Sequence, residues 1–173
     1  MTIADAVKAA ALLLLAGLLQ VSIFTSAEVA EGHPDLVLVL VVGIALLRGP
    51  IFGSVAGFSA GLILDVASLE TLGLTSLLLT LVGYFAGRFG EVTTRSSAQP
   101  QLVAVALATV GFAFGSAVLH FMLGSTIGAV TFFVGVLLPT LALNLLIAYP
   151  LVALVRRVFG VAPRRRREVP APV

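Results

Sequence analysis

Long apolar runs separated by short polar breaks constrain this chain more than any other feature. In order they are Ala6–Phe24, Asp35–Leu47, Ile51–Ser68, Leu72–Phe89, Gln101–Leu123 and Ile127–Val155. About 20 apolar residues in a helix cross roughly 30 Å of hydrocarbon. In lipid every backbone N–H and C=O needs an internal partner, which leaves helices or closed barrels. These runs are continuous rather than alternating, so they predict helices. Hydrophobic residues form 60% of the 173 residues and charged residues only 10%, against about a quarter charged in soluble domains. The expected fold class is all-α: a polytopic transmembrane bundle of about six helices. It occupies residues 1–157, and a disordered, basic, proline-containing tail follows over 158–173.

The second run is the ambiguous one. At 1.5 Å per residue, Asp35–Leu47 covers only about 20 Å. It can span by drawing in His33, Pro34 and Arg48 with local thinning of the bilayer. Alternatively, 35–68 is a re-entrant hairpin whose turn, Arg48-Gly49-Pro50, is protected inside the protein. Both readings return the chain to the same side, and two spans is the one adopted. The last run is long enough to cross with a bend at Pro139.

Charge gives the orientation. Lys8, Arg48, Arg88, Arg95, Arg156, Arg157 and Arg164 to Arg167 all fall on or beside the N-terminus, the 48–50 break, the 90–100 stretch and the tail. The opposite loops hold Glu28, Glu31, Asp35 and Glu70 and no Lys or Arg. The positive-inside rule then places both termini in the cytoplasm of a multi-pass protein. Thr25-Ser26-Ala27 offers a small-residue cleavage site, but Lys8 offset by Asp5 is a weak n-region, so the first run is read as a retained span. In the tail, Arg164, Arg165, Arg166 and Arg167 are expected to contact anionic lipid, at about 1 kcal/mol per basic residue. A docking site for a cytosolic partner is the alternative for this tail.

Glycines Gly53, Gly57 and Gly61 recur every four residues, and Asp65 takes the next place. On a helix that spacing makes one stripe, and small residues at this interval let two backbones touch in a membrane, where packing drives association. Gly83 and Gly87, Gly111 and Gly115, and Gly124 and Gly128 repeat it. A carboxylate beside such a seam needs a local reason. Asp65 either accepts hydrogen bonds from the Ser68–Thr71 turn or contacts a partner or ligand. Asn144, five residues after Pro139, is expected to repair backbone groups freed by the proline or to bond to a neighbouring helix, ahead of a transport role, since a single polar amide makes no pathway.

Signals for enzyme chemistry are sparse. The chain has no Cys, which removes disulfides, thiolate chemistry and Cys-based metal sites. No His and acid spacing suits a metal, and no phosphate-binding glycine loop ending in Gly-Lys-Ser/Thr occurs. Ser116 and His120 lie one helical turn apart, but no third residue orients the His and no oxyanion loop is visible. No enzyme activity, cofactor or nucleic-acid partner is expected.

The stretch DLVLVLVVGIALLRGPIFGSVAGFSAGLILDVASLETLGLTSLLLTLVGYFAGRFG resembles the MreD family of bacterial rod shape-determining proteins. The matching features are an apolar run entered through Pro34-Asp35 and closed by Leu-Arg-Gly, then a glycine-spaced helix ending Gly61-Leu-Ile-Leu-Asp65. Leu72-Gly73-Leu74 and Gly83-Tyr84-Phe85-Ala86-Gly87 follow. The resemblance implies a non-catalytic subunit of the cell-wall elongation machinery in the cytoplasmic membrane. It would work beside MreC, a single-span protein, in a setting that includes the MreB filament and the RodA glycosyltransferase with its paired transpeptidase. It also implies a fold like the substrate-binding subunit of energy-coupling-factor transporters. By position, Arg48, Gly49, Pro50 and Gly73 fall at turn and topology positions. Gly53, Gly57, Gly61, Asp65, Gly83 and Gly87 fall at helix-packing or partner-interface positions.

Three functions follow. A scaffold would pack MreC's span on the glycine-faced helices. A transporter subunit on the same fold would need a pocket drawn from Glu28, Glu31, His33 and Asp65. An intramembrane hydrolase would rest on Ser116 and His120.

Overall fold

The computed structural model describes residues 3–24, 34–68, 72–93, 99–124 and 135–160. They form six helices: α1 Ile3–Phe24, α2 Leu36–Arg48, α3 Pro50–Ser68, α4 Leu74–Val92, α5 Gln99–Met122 and α6 Leu138–Phe159. No strand occurs among the described residues. Within α1, α3 and α5, and over 135–159, segments are long and apolar enough to cross a membrane, and α2 is a shorter apolar helix. Lys8, Arg48, Arg88, Arg156 and Arg157 are the described basic residues, and each sits on the last turns of a helix or, for Lys8, near the start of α1.

Helix boundaries follow from local chemistry. Asp35 caps α2, its carboxylate accepting the Leu38 N–H at 2.9 Å, as a short acceptor does at an N-cap. The other end stops at Gly49, whose φ of 94° is strained for any residue with a Cβ. Pro50 then opens α3 with a fixed φ and no N–H to satisfy. The link between α2 and α3 is thus a single residue, and the 35–68 stretch is two helices.

Pro139, where the sequence predicts a bend, lies in the first turn of α6. A wider helical turn over residues 135–137 leads into it. The proline inside α6 is Pro150.

α2 is the axis of the bundle. Every residue from Val37 to Leu47 is buried, and the helix touches each of the other five. At 13 residues it is only about 20 Å long, and it is enclosed by protein rather than by lipid. α3 and α4 make the closest pair, while α5 packs on α2, α4 and α6. Lipid tails are as apolar as Leu, so burying these side chains against protein gains little by transfer; close packing and polar ties hold such helices together.

Candidate functional site

The glycine stripe of α3 is filled by α4. A Cβ built on Gly57 would lie 2.6 Å from the Leu79 carbonyl carbon, and one on Gly61 would lie 2.5 Å from the Ser76 nitrogen. From the other side, a Cβ on Gly83 would lie 2.5 Å from the Gly53 carbonyl carbon, and one on Gly87 would lie 2.6 Å from that of Gly49. A Cβ on Gly53 would meet Ala45 of α2 at 2.5 Å as well. Ordinary contact is 3.4–4 Å. The two backbones therefore touch from Gly53 opposite Gly83 to Gly61 opposite Ser76, antiparallel, and only glycine fits. Gly83 and Gly87, separate candidates in the sequence, belong to this one seam.

Asp65, buried at the seam's end, turns across to the start of α4. Its carboxylate accepts the Gly73 N–H at 2.9 Å, the Thr75 N–H at 3.1 Å, and the Ser76 N–H and hydroxyl, each at 3.2 Å. The first N–H groups of a helix have no partner in the helix itself, and an anion there also meets the positive end of its dipole. Gly73, with φ of 95°, turns the chain so that these N–H groups converge. Within the described residues, the bonds run to α4 and its entry; residues 69–71 of the expected turn lie outside them.

At the opposite end, Arg48 links three helices. One guanidinium nitrogen donates to the Asp5 carboxylate of α1 and to the Phe159 carbonyl at the end of α6, both at 2.8 Å. The guanidinium also lies 5.5 Å from the Phe159 ring centroid, within cation–π range. Its Nε is buried without a protein acceptor. Lys8 donates to the Val158 carbonyl at 3.2 Å, adding a second tie between α1 and α6. Arg48 is thus a latch between termini, with Gly49 and Pro50 setting its place at the α2–α3 corner.

A third polar cluster gathers at the start of α2. Gln20 of α1 accepts the Val37 N–H at 2.9 Å. Asn144 of α6, fully buried, accepts the Asp35 N–H at 2.7 Å and donates to the Thr109 hydroxyl of α5 at 3.1 Å. Asn144 therefore bonds between helices, the second of its two expected structural roles. Asp35, grouped with loop acids on charge, is instead the N-cap of a buried helix. Gln20 and Thr109 were not singled out by sequence. The available signal was that both are polar residues inside otherwise apolar runs.

Beside this cluster a cavity of about 200 Å³ opens between α2, α5 and α6, with Asp35, Thr109, Ser116, Thr140 and Asn144 among its walls. A larger apolar groove of about 410 Å³ runs between α4 and α5 along Leu78, Phe85, Phe89, Ala104, Ala108 and Gly111. A Cβ on Gly111 would meet nothing within 4 Å. Gly115 differs, since a Cβ there would press on the Leu78 side chain.

Ser116 and His120 are adjacent, but the His ring points its Nδ1 at the Ser116 carbonyl oxygen, 2.9 Å away, with the hydroxyl at 3.4 Å. A carbonyl only accepts, so Nδ1 carries the hydrogen. That nitrogen has no lone pair left to take the serine proton, which general-base activation requires. Among the described residues, no group of three His, Cys, Asp or Glu side chains could hold a metal ion. Glu28, Glu31, His33, Glu70, Arg95, Gly128 and Arg164 to Arg167 lie outside the described residues.

Fold and side-chain geometry together define an integral membrane protein, a helical bundle tied by a glycine seam and three polar clusters. Its family is specific. The model for the rod shape-determining protein MreD matches residues 2–160, and the chain belongs to that family. No curated protein matches the chain, and no solved structure does.

Proposed function

We propose that this rod-shape-determining membrane protein is a non-catalytic scaffold that binds an MreC-like single-span protein in the bacterial cytoplasmic membrane, both termini inside. Through that complex it meets the RodA-type glycosyltransferase with its transpeptidase and the MreB filament. The family match over residues 2–160 carries this reading. The polar geometry supports it: Asp65 serves the start of α4, Arg48 latches α1 to α6, and Asn144 joins α2, α5 and α6. These are structural tasks rather than reactive ones.

The glycine seam is internal, so a partner's span needs another face. We assign it the α4–α5 groove. Ala104, Ala108 and Gly111 give it a low floor, which lets a second backbone approach. Among the described residues nothing lies within 4 Å of a Cβ at Gly111, although glycine in a helix interior costs about 1 kcal/mol relative to Ala. Purifying the tagged protein in mild detergent, with mass spectrometry of what accompanies it, is the test. An MreC-like single-span protein is expected with the wild type and much less of it with Gly111→Phe, at unchanged yield and thermal stability. Full recovery with Gly111→Phe overturns the groove assignment. Recovery of paired ATPases and a coupling subunit instead overturns the scaffold and favours an energy-coupling-factor-type transporter.

A further inference from the structure

We propose that the second half of α5 is a lever with two seats, one against α4 and one against α6, and that a span in the α4–α5 groove selects the second. The lever follows from packing within this chain; its coupling to a span rests on the groove reading above.

Burial divides α5 in two. Ala104, Val105, Ala108 and Thr109 are buried, and the Thr109 hydroxyl accepts from the Asn144 amide at 3.1 Å. From Val110 to Met122 no residue is buried. The other helix of the pair shows the same break: none of residues 135–143 is buried, and burial begins at Asn144. Thr109 and Asn144 thus form a pivot, beyond which both helices run with little protein around them. Past the pivot, Ser116 and His120 bond to each other within α5.

Space lies on both sides of this free half. The groove of about 410 Å³ separates it from α4, and the cavity of about 200 Å³ separates it from α6. Phe112 lines both, so a shift that narrows one void widens the other. Both faces are low, with Gly111 and Gly115 on the groove and Ala113 and Ser116 on the cavity. Small residues let a helix approach its neighbour closely, so either seat can close. An atom facing a void forfeits its attraction to a partner, which favours closing one side over standing between two. Packed interfaces of this kind switch between discrete arrangements rather than deforming continuously. The hold on α4 is slight: a Cβ at Gly115 would meet only the tip of the Leu78 side chain, at 2.6 Å, where the α3–α4 seam is backbone on backbone. A span entering the groove needs α5 away from α4, and the cavity closes as it enters. The coupling is reciprocal, so whatever fills the cavity weakens binding in the groove.

The chain has no Cys, so spin labels on introduced cysteines carry no background. α4 packs against both α3 and α5, and Val66 of α3, Leu77 of α4 and Val118 of α5 are exposed. Double electron–electron resonance on the pair Val66→Cys and Val118→Cys should give a broader distribution than Val66→Cys and Leu77→Cys across the seam. Ala113→Leu fills the cavity and should shorten the mean 66–118 distance. Gly111→Phe fills the groove and should lengthen it, each by about 2 Å, the usual step of a helix at an interface. A 66–118 distribution as narrow as the control overturns the lever even if neither variant folds, and so do absent shifts or shifts of one sign. In the detergent purification, Ala113→Leu should recover about fivefold less of the single-span protein. Undiminished recovery alongside the shorter distance overturns the coupling, whereas undiminished recovery with Gly111→Phe overturns the groove reading and leaves the lever standing.

Discussion

Alanine at Gly57 and alanine at Gly111 should move stability in opposite directions. Both are glycines inside helices, so replacing either by Ala gains about 1 kcal/mol of intrinsic helix propensity. At Gly57 the new methyl would sit 2.6 Å from the Leu79 carbonyl carbon. Restoring contact at about 3.5 Å means opening the α3–α4 seam by about 1 Å. A gap of that size forfeits about a quarter to a half of each pairwise attraction along the seam. The obstacle is backbone, which cannot rotate away as a side chain can, so the cost falls toward the upper part of the usual overpacking range of about 1–3 kcal/mol. Net of propensity, Gly57→Ala should lose about 1–2 kcal/mol. Gly111→Ala meets nothing within 4 Å and should gain up to about 1 kcal/mol. Equilibrium unfolding in mixed micelles, followed by circular dichroism, measures the difference. Equal stabilities, or shifts of the same sign, would refute the claim that the seam is a backbone contact internal to this chain.

Asp65→Ala leaves the Gly73, Thr75 and Ser76 N–H groups without their acceptor and should cost about 3 kcal/mol, since each unsatisfied buried donor costs about 1–3 kcal/mol and the losses overlap. Faster amide exchange at residues 73, 75 and 76 is its signature; unchanged exchange there would contradict the capping role. The Asp5 and Arg48 side chains are 12% and 21% exposed, at 2.8 Å, and a double-mutant cycle should show coupling of about 1–2 kcal/mol. Arg48→Lys should not restore it, because the shorter lysine does not place its more strongly hydrated ammonium where one guanidinium nitrogen meets both Asp5 and the Phe159 carbonyl. Full stability in the Lys variant would show that a point charge suffices.

Much of this architecture is legible in the sequence because lipid imposes a single rule on backbone: satisfy every polar group locally. Continuous apolar runs therefore gave helices, and the spacing of Gly53, Gly57 and Gly61 gave a close-packed stripe. What hydropathy does not encode is which apolar face meets lipid and which meets protein. Leu40 and Val41 of α2, wholly enclosed, look no different from Leu14 and Leu15 of α1, which are exposed. The same blindness hid the partner of the glycine stripe, since small residues admit a neighbouring helix of the same chain as readily as another protein. Asp35 and Asn144 are 109 positions apart, and no local pattern joins residues at that separation.

The enclosure of α2 also has a consequence for biosynthesis. A helix of 13 residues is too short to cross a bilayer unaided, and its neighbours α5 and α6 are translated only after it. While the ribosome is still making the second half, one flank of α2 lacks its protein neighbours, and Asn144, the acceptor of the Asp35 N–H, does not yet exist, nor does its partner Thr109. The one-residue corner at Gly49 ties it to α3, which is long enough to anchor both as α4 arrives and closes the seam. Membrane insertion of this protein is then a matter of timing: α3 and α4 form the platform, and α2 reaches its final environment only when the last helix closes over it.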